Sequence, residues 1–189
     1  VLTVLFGTII GTLLALMKLS RNWLAKVVAN IYIEFIRGTP LLVQAFIVFF
    51  GTQILGLDLS AFVAGAIAMA INSGAYVAEI IRGGINSVPV GQTEAARSLG
   101  LHQSQAMRYV ILPQAMKNIW PALGNEFVTD IKESSVLSVI GATELMFEGT
   151  VVQGASFKPF LPLVVVAILY FIMTFTLSRL LRLIEKRFN

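Results

Sequence analysis

Long apolar runs recur along this chain, and their length is the first informative feature. Val1 to Met17 carries no charge, and Leu41 to Leu57 is also uncharged, ending at the turn-like Gly56-Leu57-Asp58. Ala61 to Ile81 is apolar except for Glu79 and runs into Arg82-Gly83-Gly84. Ile119 to Ile140 is apolar but interrupted by Glu126, Asp130, Lys132 and Glu133, and Phe160 to Leu177 is clean up to Arg179. A helix rises about 1.5 Å per residue and must cover about 30 Å of hydrocarbon, so about 20 such residues make one span. The pattern predicts an all-α integral membrane protein, a single domain over 1–189, with about five transmembrane helices at about 1–17, 41–57, 61–81, 119–140 and 160–178. Alternation of apolar and polar residues is missing, which excludes an outer-membrane barrel. No internal repeat supports an inverted-repeat transporter.

Composition agrees. The 189 residues are 57% hydrophobic and 13% charged, with mean hydropathy +0.83, whereas soluble domains average about 45–50% apolar and about 25% charged. That argues against a soluble enzyme, a disordered tail or a disulfide-stapled module. Cysteine is absent, so disulfides and thiolate chemistry are excluded. Val1 follows no basic region or cleavage site, which reads as a start inside a longer natural N-terminus.

The net charge of +4 would hint at nucleic acid in a soluble chain, but in a membrane chain it points to basic cytoplasmic loops. With a cytoplasmic C-terminus, the inside segments 18–40, 82–118 and 178–189 hold Lys18, Arg21, Lys26, Arg37, Arg82, Arg97, Arg108, Lys117, Arg179, Arg182, Lys186 and Arg187. These are 12 of the 14 basic residues. The expected topology therefore has the N-terminus outside and the C-terminus in the cytoplasm.

Residues 83–117 form one long connection with ordered content. Thr93 is a candidate N-cap, Glu94 suits the first turn, and Gly100 is placed to end a two-turn helix. A second helical stretch is expected to reach Leu112 and stop before Pro113. Two short helices on an inner membrane face make either a docking surface for another protein or an ordinary interfacial helix.

The spacing Glu94-Ala95-Ala96, three residues, Gly100, nine residues, Val110-x-Leu112-Pro113 resembles the EAA signature of permease subunits in bacterial ATP-binding-cassette importers, with Val110 in the Ile place. The segments Arg37–Gln44, Asn72–Arg82 and Lys132–Ile140 resemble the polar-amino-acid branch of that family. The resemblance implies an importer-type permease fold, with Glu94, Ala95, Ala96, Arg97, Leu99, Gly100 and Leu101 forming a coupling helix that enters a groove of an ATPase subunit. It further implies a second permease copy, identical or different, an extracytoplasmic solute-binding protein, an amino acid substrate and a bacterial inner-membrane location. ATP and Mg would belong to the partner ATPase. This chain would be a non-catalytic subunit with no cofactor or metal, and no nucleic acid is expected. The chain also lacks a Gly-rich phosphate loop ending in Lys-Ser/Thr.

Polar groups inside spans are costly and normally face a partner or water. Glu79 and Arg82, at i and i+3, read as a pair. Asn72 and Ser73 lie near mid-span as helix–helix glue or cavity lining. Glu126, Asp130 and Glu133 fall on one helical stripe; Lys132 lies off it and needs a partner on another helix. These six charged residues are candidate gate or interhelical ties. Beyond Gly141, if the helix continues, Glu144 and Glu148 share a face at i and i+4, where a cationic side chain would relieve their repulsion. Solvated outer-loop acids are the alternative. Asn72, Ser73, Glu144, Glu148 and Gln153 are thus the candidate substrate residues. An ion-coupled secondary transporter or channel, using the membrane acids as a proton relay, is the competing function; it leaves the ordered loop unexplained.

Overall fold

In the computed structural model, which describes residues 2–188, two helices set the frame. α1 (Leu2–Leu19) lies along α4 (Ala61–Asn86), with Gly7 against Ser73 and Gly11 against Val77. Both contact positions advance together, so the two helices run parallel. The approach is close because Gly11 has no side chain: a Cβ there would lie 2.5 Å from the Val77 Cβ and 2.8 Å from the Gly74 carbonyl oxygen. Small residues are how helices approach closely where lipid removes the usual hydrophobic drive. Val1, the expected start of the first span, and Asn189 lie outside the described residues.

α2 (Trp23–Arg37) and α3 (Leu41–Ile54) meet at an angle of 105°. The segment 18–40 thus contains an ordered helix where a loop was expected, and α3 alone is shorter than the span expected over 41–57. The periodicity of α2 explains its independence. Ala29, Ile33 and Ile36 are buried, and they pack with Leu14, Ala75 and Ala78. Trp23, Leu24, Val27, Val28, Ile31 and Phe35 form an exposed apolar stripe, and Lys26, Asn30, Glu34 and Arg37 a polar one. Three faces at helical spacing give a helix with a protein side, a lipid side and a polar side. Asn22 caps its start by accepting from Leu24 N–H at 2.9 Å.

Beyond α4 the chain forms α5 (Val90–Ser98) and α6 (Gln103–Ala106), then a π-helical turn over Met107–Ile111 that continues into α7 (Leu112–Glu133). Two expectations are corrected here. α5 starts after Pro89, so Thr93 is inside it, and the second stretch does not stop at Pro113. A wider π turn is a place where a helix absorbs a local misfit, and Gln114 donates its side-chain amide to the Val110 carbonyl at 2.8 Å. The fourth span accordingly starts earlier than 119, and Ser134–Ile140 is 3₁₀ rather than α-helical. The chain turns at Gly141 into α8 (Leu145–Ser156), then α9 (Leu161–Phe188), longer than the expected 160–178.

α1, α4 and α9 are each long and apolar enough to cross a membrane. The α2–α3 pair and the segment 103–140 with α8 pass the same test only when each bent pair is taken together. The count among described residues is therefore three to five spans. α4 and α7 are antiparallel, since Ser73 meets Asp130 while Gly84 meets Ile119.

Candidate functional site

The connection between α4 and α7 is held rigidly at both ends. Val88, Ile111, Ala115, Ile119 and Leu123 pack with Val77 in one apolar cluster. Asn118 donates to Ser87 Oγ at 2.8 Å, and Gln114 to Gln92 Oε1 at 3.3 Å, joining α7 to the end of α4 and to α5. Ala96 is buried, while Glu94, Ala95, Arg97, Leu99 and Gly100 are exposed. Leu99, an apolar residue, is 85% exposed at the tip. Gly100 closes α5 with φ +86°, a left-handed conformation that a side chain disfavours, and Leu101 N–H donates back to the Ala96 carbonyl at 3.2 Å. The result is a short, slim helix presented on a fixed base, with an unpartnered apolar tip.

A second assembly of polar groups runs through the helix bundle. Gln44 is 5% exposed. Its amide donates to the carbonyls of Ile36 and Thr39, at 2.7 and 3.1 Å, and to Thr39 Oγ1 at 2.9 Å. Its carbonyl accepts from Asn72 Nδ2 at 3.0 Å. The neighbouring Ser73 donates to Asp130 Oδ2 at 3.1 Å, joining α4 to α7. Asn72 and Ser73 are therefore interhelical bonding groups in this structure. Glu79 accepts from Lys18 at 2.8 Å and from Arg82 Nε and Nη2 at 3.1 and 2.8 Å, with Arg37 Nη1 3.8 Å away. The expected Glu79–Arg82 pair is present and is enlarged by two cations from other helices.

Asp130 lines a cavity of about 340 Å³ together with Glu144, Tyr170, Ser134, Met69 and Phe127. Glu144 caps α8, accepting from Met146 N–H at 2.9 Å and Phe147 N–H at 2.6 Å, and also from Tyr170 OH at 2.6 Å. Its φ of −146° is outside the helix, so the unbroken helix needed for a shared Glu144–Glu148 face is not formed. Glu148 is exposed and lines a different cavity, of about 430 Å³, near Lys158. Gln153 donates to the Pro159 carbonyl at 2.7 Å, closing the α8–α9 turn. Glu126 and Glu133 are half-buried on the same α7 stripe as Asp130, while Lys132 is exposed. Among the described residues no ion pair ties Lys132 to another helix.

Sequence reasoning missed Gln44, Lys18 and Tyr170. A search for charges passes over an amide in the uncharged run 41–57 and a phenol in the clean run 160–177. The signal available was polarity at a position flanked on both sides by apolar residues.

Comparison with known proteins gives one consistent answer. Residues 7–189 match the family described as binding-protein-dependent transport system inner membrane component. The chain is 43% identical to a putative glutamine transport system permease protein of Rickettsia bellii over 188 residues, 99% of this chain and 86% of the relative. It is 38% identical to an arginine transport system permease protein of Bacillus subtilis, again over 99% of this chain and 86% of the relative. A crystal structure titled as an amino acid ABC transporter with histidines superimposes with a TM-score of 0.94 at 52% identity, covering 98% of this chain and 87% of that one.

Proposed function

The chain belongs to the family of binding-protein-dependent transport system inner membrane components, and from that premise we propose that it imports polar amino acids through a site near Glu144 under the control of the exposed helix α5. It is the transmembrane subunit of an ABC-type importer, an all-helical permease of the inner membrane. The relatives' substrates are glutamine and arginine, and the solved structure carries histidines. These share an α-amino acid zwitterion and a nitrogen-bearing side chain, so this is the substrate class proposed here.

The observation that carries the coupling role is the rigid base under an exposed tip. A groove on an ATPase partner would cover Leu99 and accept the slim Ala95–Gly100 stretch, with Glu94 and Arg97 available to its charges. Closure of two ATPase subunits on ATP and Mg would then push α5 as a lever. The push would pass through the Val88–Ile111–Ile119 cluster and the two side-chain amide bonds into α4 and α7. Asp130, on α7, and Ser73, on α4, sit at the other end of that lever.

For substrate, Glu144, Asp130 and Tyr170 provide acid and hydroxyl groups around one cavity, with Asn72 and Ser73 behind them. Glu148 and Gln153 would lie on the approach from the binding protein. The parallel α1–α4 packing and the antiparallel α4–α7 packing fit alternating crossings, and the placement of 12 of the 14 basic residues favours an N-terminus outside and a C-terminus in the cytoplasm. A second permease copy would complete the path, since a single bundle leaves most of α9 exposed. The test is reconstitution with the ATPase subunit and binding protein, scanning amino acids for stimulated ATP hydrolysis and uptake. Stimulation by glutamine, arginine or histidine is the expected result. Stimulation by none of them, with a sugar or peptide active instead, would overturn the substrate class.

A further inference from the structure

Another cavity, of about 280 Å³, lies on the seam between α7 and α9, apart from the one around Asp130. Its polar lining is Asn125 from α7 with Ser178, Arg182 and Glu185 from α9. The two helices close on each other at Gly124, where an added Cβ would lie 3.3 Å from Leu181 Cδ1 and 3.8 Å from Glu185 Oε1. The half-buried Glu185 carboxylate is therefore turned onto α7, while Arg182, a turn earlier, is exposed. Among the described residues neither forms an ion pair, with the other or with any other group, and Asn125 has no side-chain hydrogen-bond partner. Pro121, also in the lining, has no N–H to give the Lys117 carbonyl four residues before it.

Two opposite charges a turn apart, facing one cavity and bonded to nothing in the chain, suit a ligand that carries both charges. The surroundings are otherwise basic: Glu185 is the one acid between Leu161 and Asn189, among Arg179, Arg182, Lys186 and Arg187. An anion alone would need no acid there. Depth points to the kind of ligand. The uncharged run Leu161–Leu177 covers about 25 Å as helix, so Ser178–Glu185 fall where hydrocarbon gives way to headgroups. Trp120, beside Pro121, is a residue type that concentrates at that level. Leu180, Leu183 and Ile184 are exposed on the same turns, where acyl chains would lie.

We propose that this seam binds the headgroup of a zwitterionic phospholipid with a primary ammonium group, of the phosphatidylethanolamine type. Arg182 takes the phosphate, with Asn125 and Ser178 as further donors, and Glu185 takes the ammonium. Phosphatidylcholine keeps both charges but has no N–H for Glu185. Phosphatidylglycerol keeps the phosphate and leaves Glu185 facing no cation. The Asp130–Tyr170 cavity lies about a turn and a half further along α7, so the headgroup would bridge two helices that also line that cavity. Such a site requires only that α9 crosses the membrane, whatever the transported substrate.

The test strips the permease–ATPase complex of lipid in detergent and offers it equal amounts of dioleoyl phosphatidylethanolamine, phosphatidylcholine and phosphatidylglycerol. Native mass spectrometry then identifies the most tightly held lipid on each permease. The wild type is expected to retain phosphatidylethanolamine over each of the others by about fivefold or more. Glu185→Gln should bring phosphatidylethanolamine and phosphatidylcholine within about twofold, whereas Arg182→Gln should lower retention of all three together. Neither side chain has an ion-pair partner to lose, so both variants should keep the wild-type thermal midpoint. Glu185→Asp, which holds the charge on a shorter stem, should retain part of the selectivity. Equal retention by the wild type, a preference for phosphatidylglycerol, or a phosphatidylethanolamine preference that survives both Gln variants overturns the proposal. Displacement of the lipid by an equal concentration of soluble glycerophosphoethanolamine would assign the seam to a soluble ligand and overturn it too. So would a Glu185→Gln variant that loses the second permease copy but keeps the lipid preference, since the seam would then be a contact between copies. Binding is read without transport, so failure here leaves the importer reading intact, and failure of amino-acid-stimulated ATP hydrolysis leaves this site intact.

Discussion

Asn72 donates a 3.0 Å hydrogen bond to Gln44, and Gln44 in turn donates to the last carbonyls around the α2–α3 bend. One buried amide thus satisfies the Ile36 and Thr39 carbonyls, left without helical donors where the chain turns, and fastens the turn to the middle of α4. Backbone polar groups at membrane depth must be met inside the protein. A sharp bend at that depth is tolerated because Gln44 is there. Since Ser73 is the next residue and bonds Asp130, the same turn of α4 joins the bend to α7.

Gln44→Leu keeps a side chain of comparable bulk, one atom shorter, and removes every one of these bonds. The Asn72 amide and the Thr39 carbonyl lose the Gln44 bond, the Ile36 carbonyl keeps only a long 3.4 Å bond from Thr39 Oγ1, and each buried unsatisfied group costs about 1–3 kcal/mol. We expect a clear drop in the thermal midpoint of the purified permease. Gln44→Glu, which retains acceptors but loses donors, should fall by a comparable amount. An unchanged midpoint in both would show that the bend is held by other contacts.

The α1–α4 seam makes a sharper packing prediction. Gly11→Leu must displace Val77 and the Gly74 backbone, and overpacking of this kind costs about 1–3 kcal/mol or more. Gly51→Ala in α3 is the matched control, because a Cβ there meets nothing within 4 Å and alanine favours helix by about 0.5–1 kcal/mol. The first should destabilise the permease and the second should not, as read by thermal aggregation in one detergent. Equal behaviour would mean α1 is free to move away from α4.

Apolar run length located the cores of α1, α4 and α9, because burial in lipid demands about 20 apolar residues whatever the neighbours are. It failed at α2, whose polar stripe of Lys26, Asn30, Glu34 and Arg37 disguises an ordered helix as a basic loop. It failed again at Pro113, where proline normally ends a helix and a π turn instead carries it through. The end of α5 was legible because it depends on a local conformation, φ +86° at Gly100, whereas its start lies three residues before the expected cap at Thr93. The membrane polar network was half legible: Asn72, Ser73, Glu79, Arg82 and Asp130 stand out as polar letters in apolar text. The partners Lys18 and Gln44, and the Tyr170 hydroxyl that bonds Glu144, are set by helix packing, and no spacing within one helix encodes that.

Topology can be tested cleanly because the chain has no cysteine. Single cysteines at Asp58, in the α3–α4 turn, and at Leu99, at the tip of α5, lie near opposite ends of α4. A membrane-impermeant maleimide added outside is expected to label the first and spare the second. Asn189, outside the described residues, should behave like Leu99. Labelling of Asp58 and Asn189 from the same side would sink the five-span arrangement.

Gly100→Asp tests coupling. Nothing in the permease lies within 4 Å of the position a Cβ would take, so the internal penalty is chiefly the left-handed backbone, about 1–2 kcal/mol. In a tight groove on the partner, the carboxylate would add steric bulk and an unpaired desolvated charge. The variant should fold and insert, yet lose both co-purification with the ATPase and transport. Gly100→Ala carries the same backbone strain without the charge and should retain most coupling. Wild-type transport by Gly100→Asp would remove α5 from the coupling role.

The two acids at the start of α8 should separate in their effects, because the structure gives them different surroundings. Glu144 is committed to two backbone N–H groups and the Tyr170 hydroxyl. Glu144→Gln retains one acceptor oxygen but loses the charge that favours the α8 N-terminus, so it should weaken every substrate and lower stability by about 0.5–2 kcal/mol. Glu148 is exposed and has no such duty in α8. If it faces a cationic side chain during import, Glu148→Gln should cost arginine about 1–3 kcal/mol, the typical worth of hydrogen bonds to charged groups. Glutamine should lose much less. Binding must be measured on the permease complex directly, with the arginine-to-glutamine ratio as the readout, since a ratio cancels any general loss of active protein. A ratio unchanged by Glu148→Gln would leave that acid a solvated residue of α8. A ratio shifted by Glu144→Gln instead would move side-chain recognition into the Asp130–Tyr170 cavity.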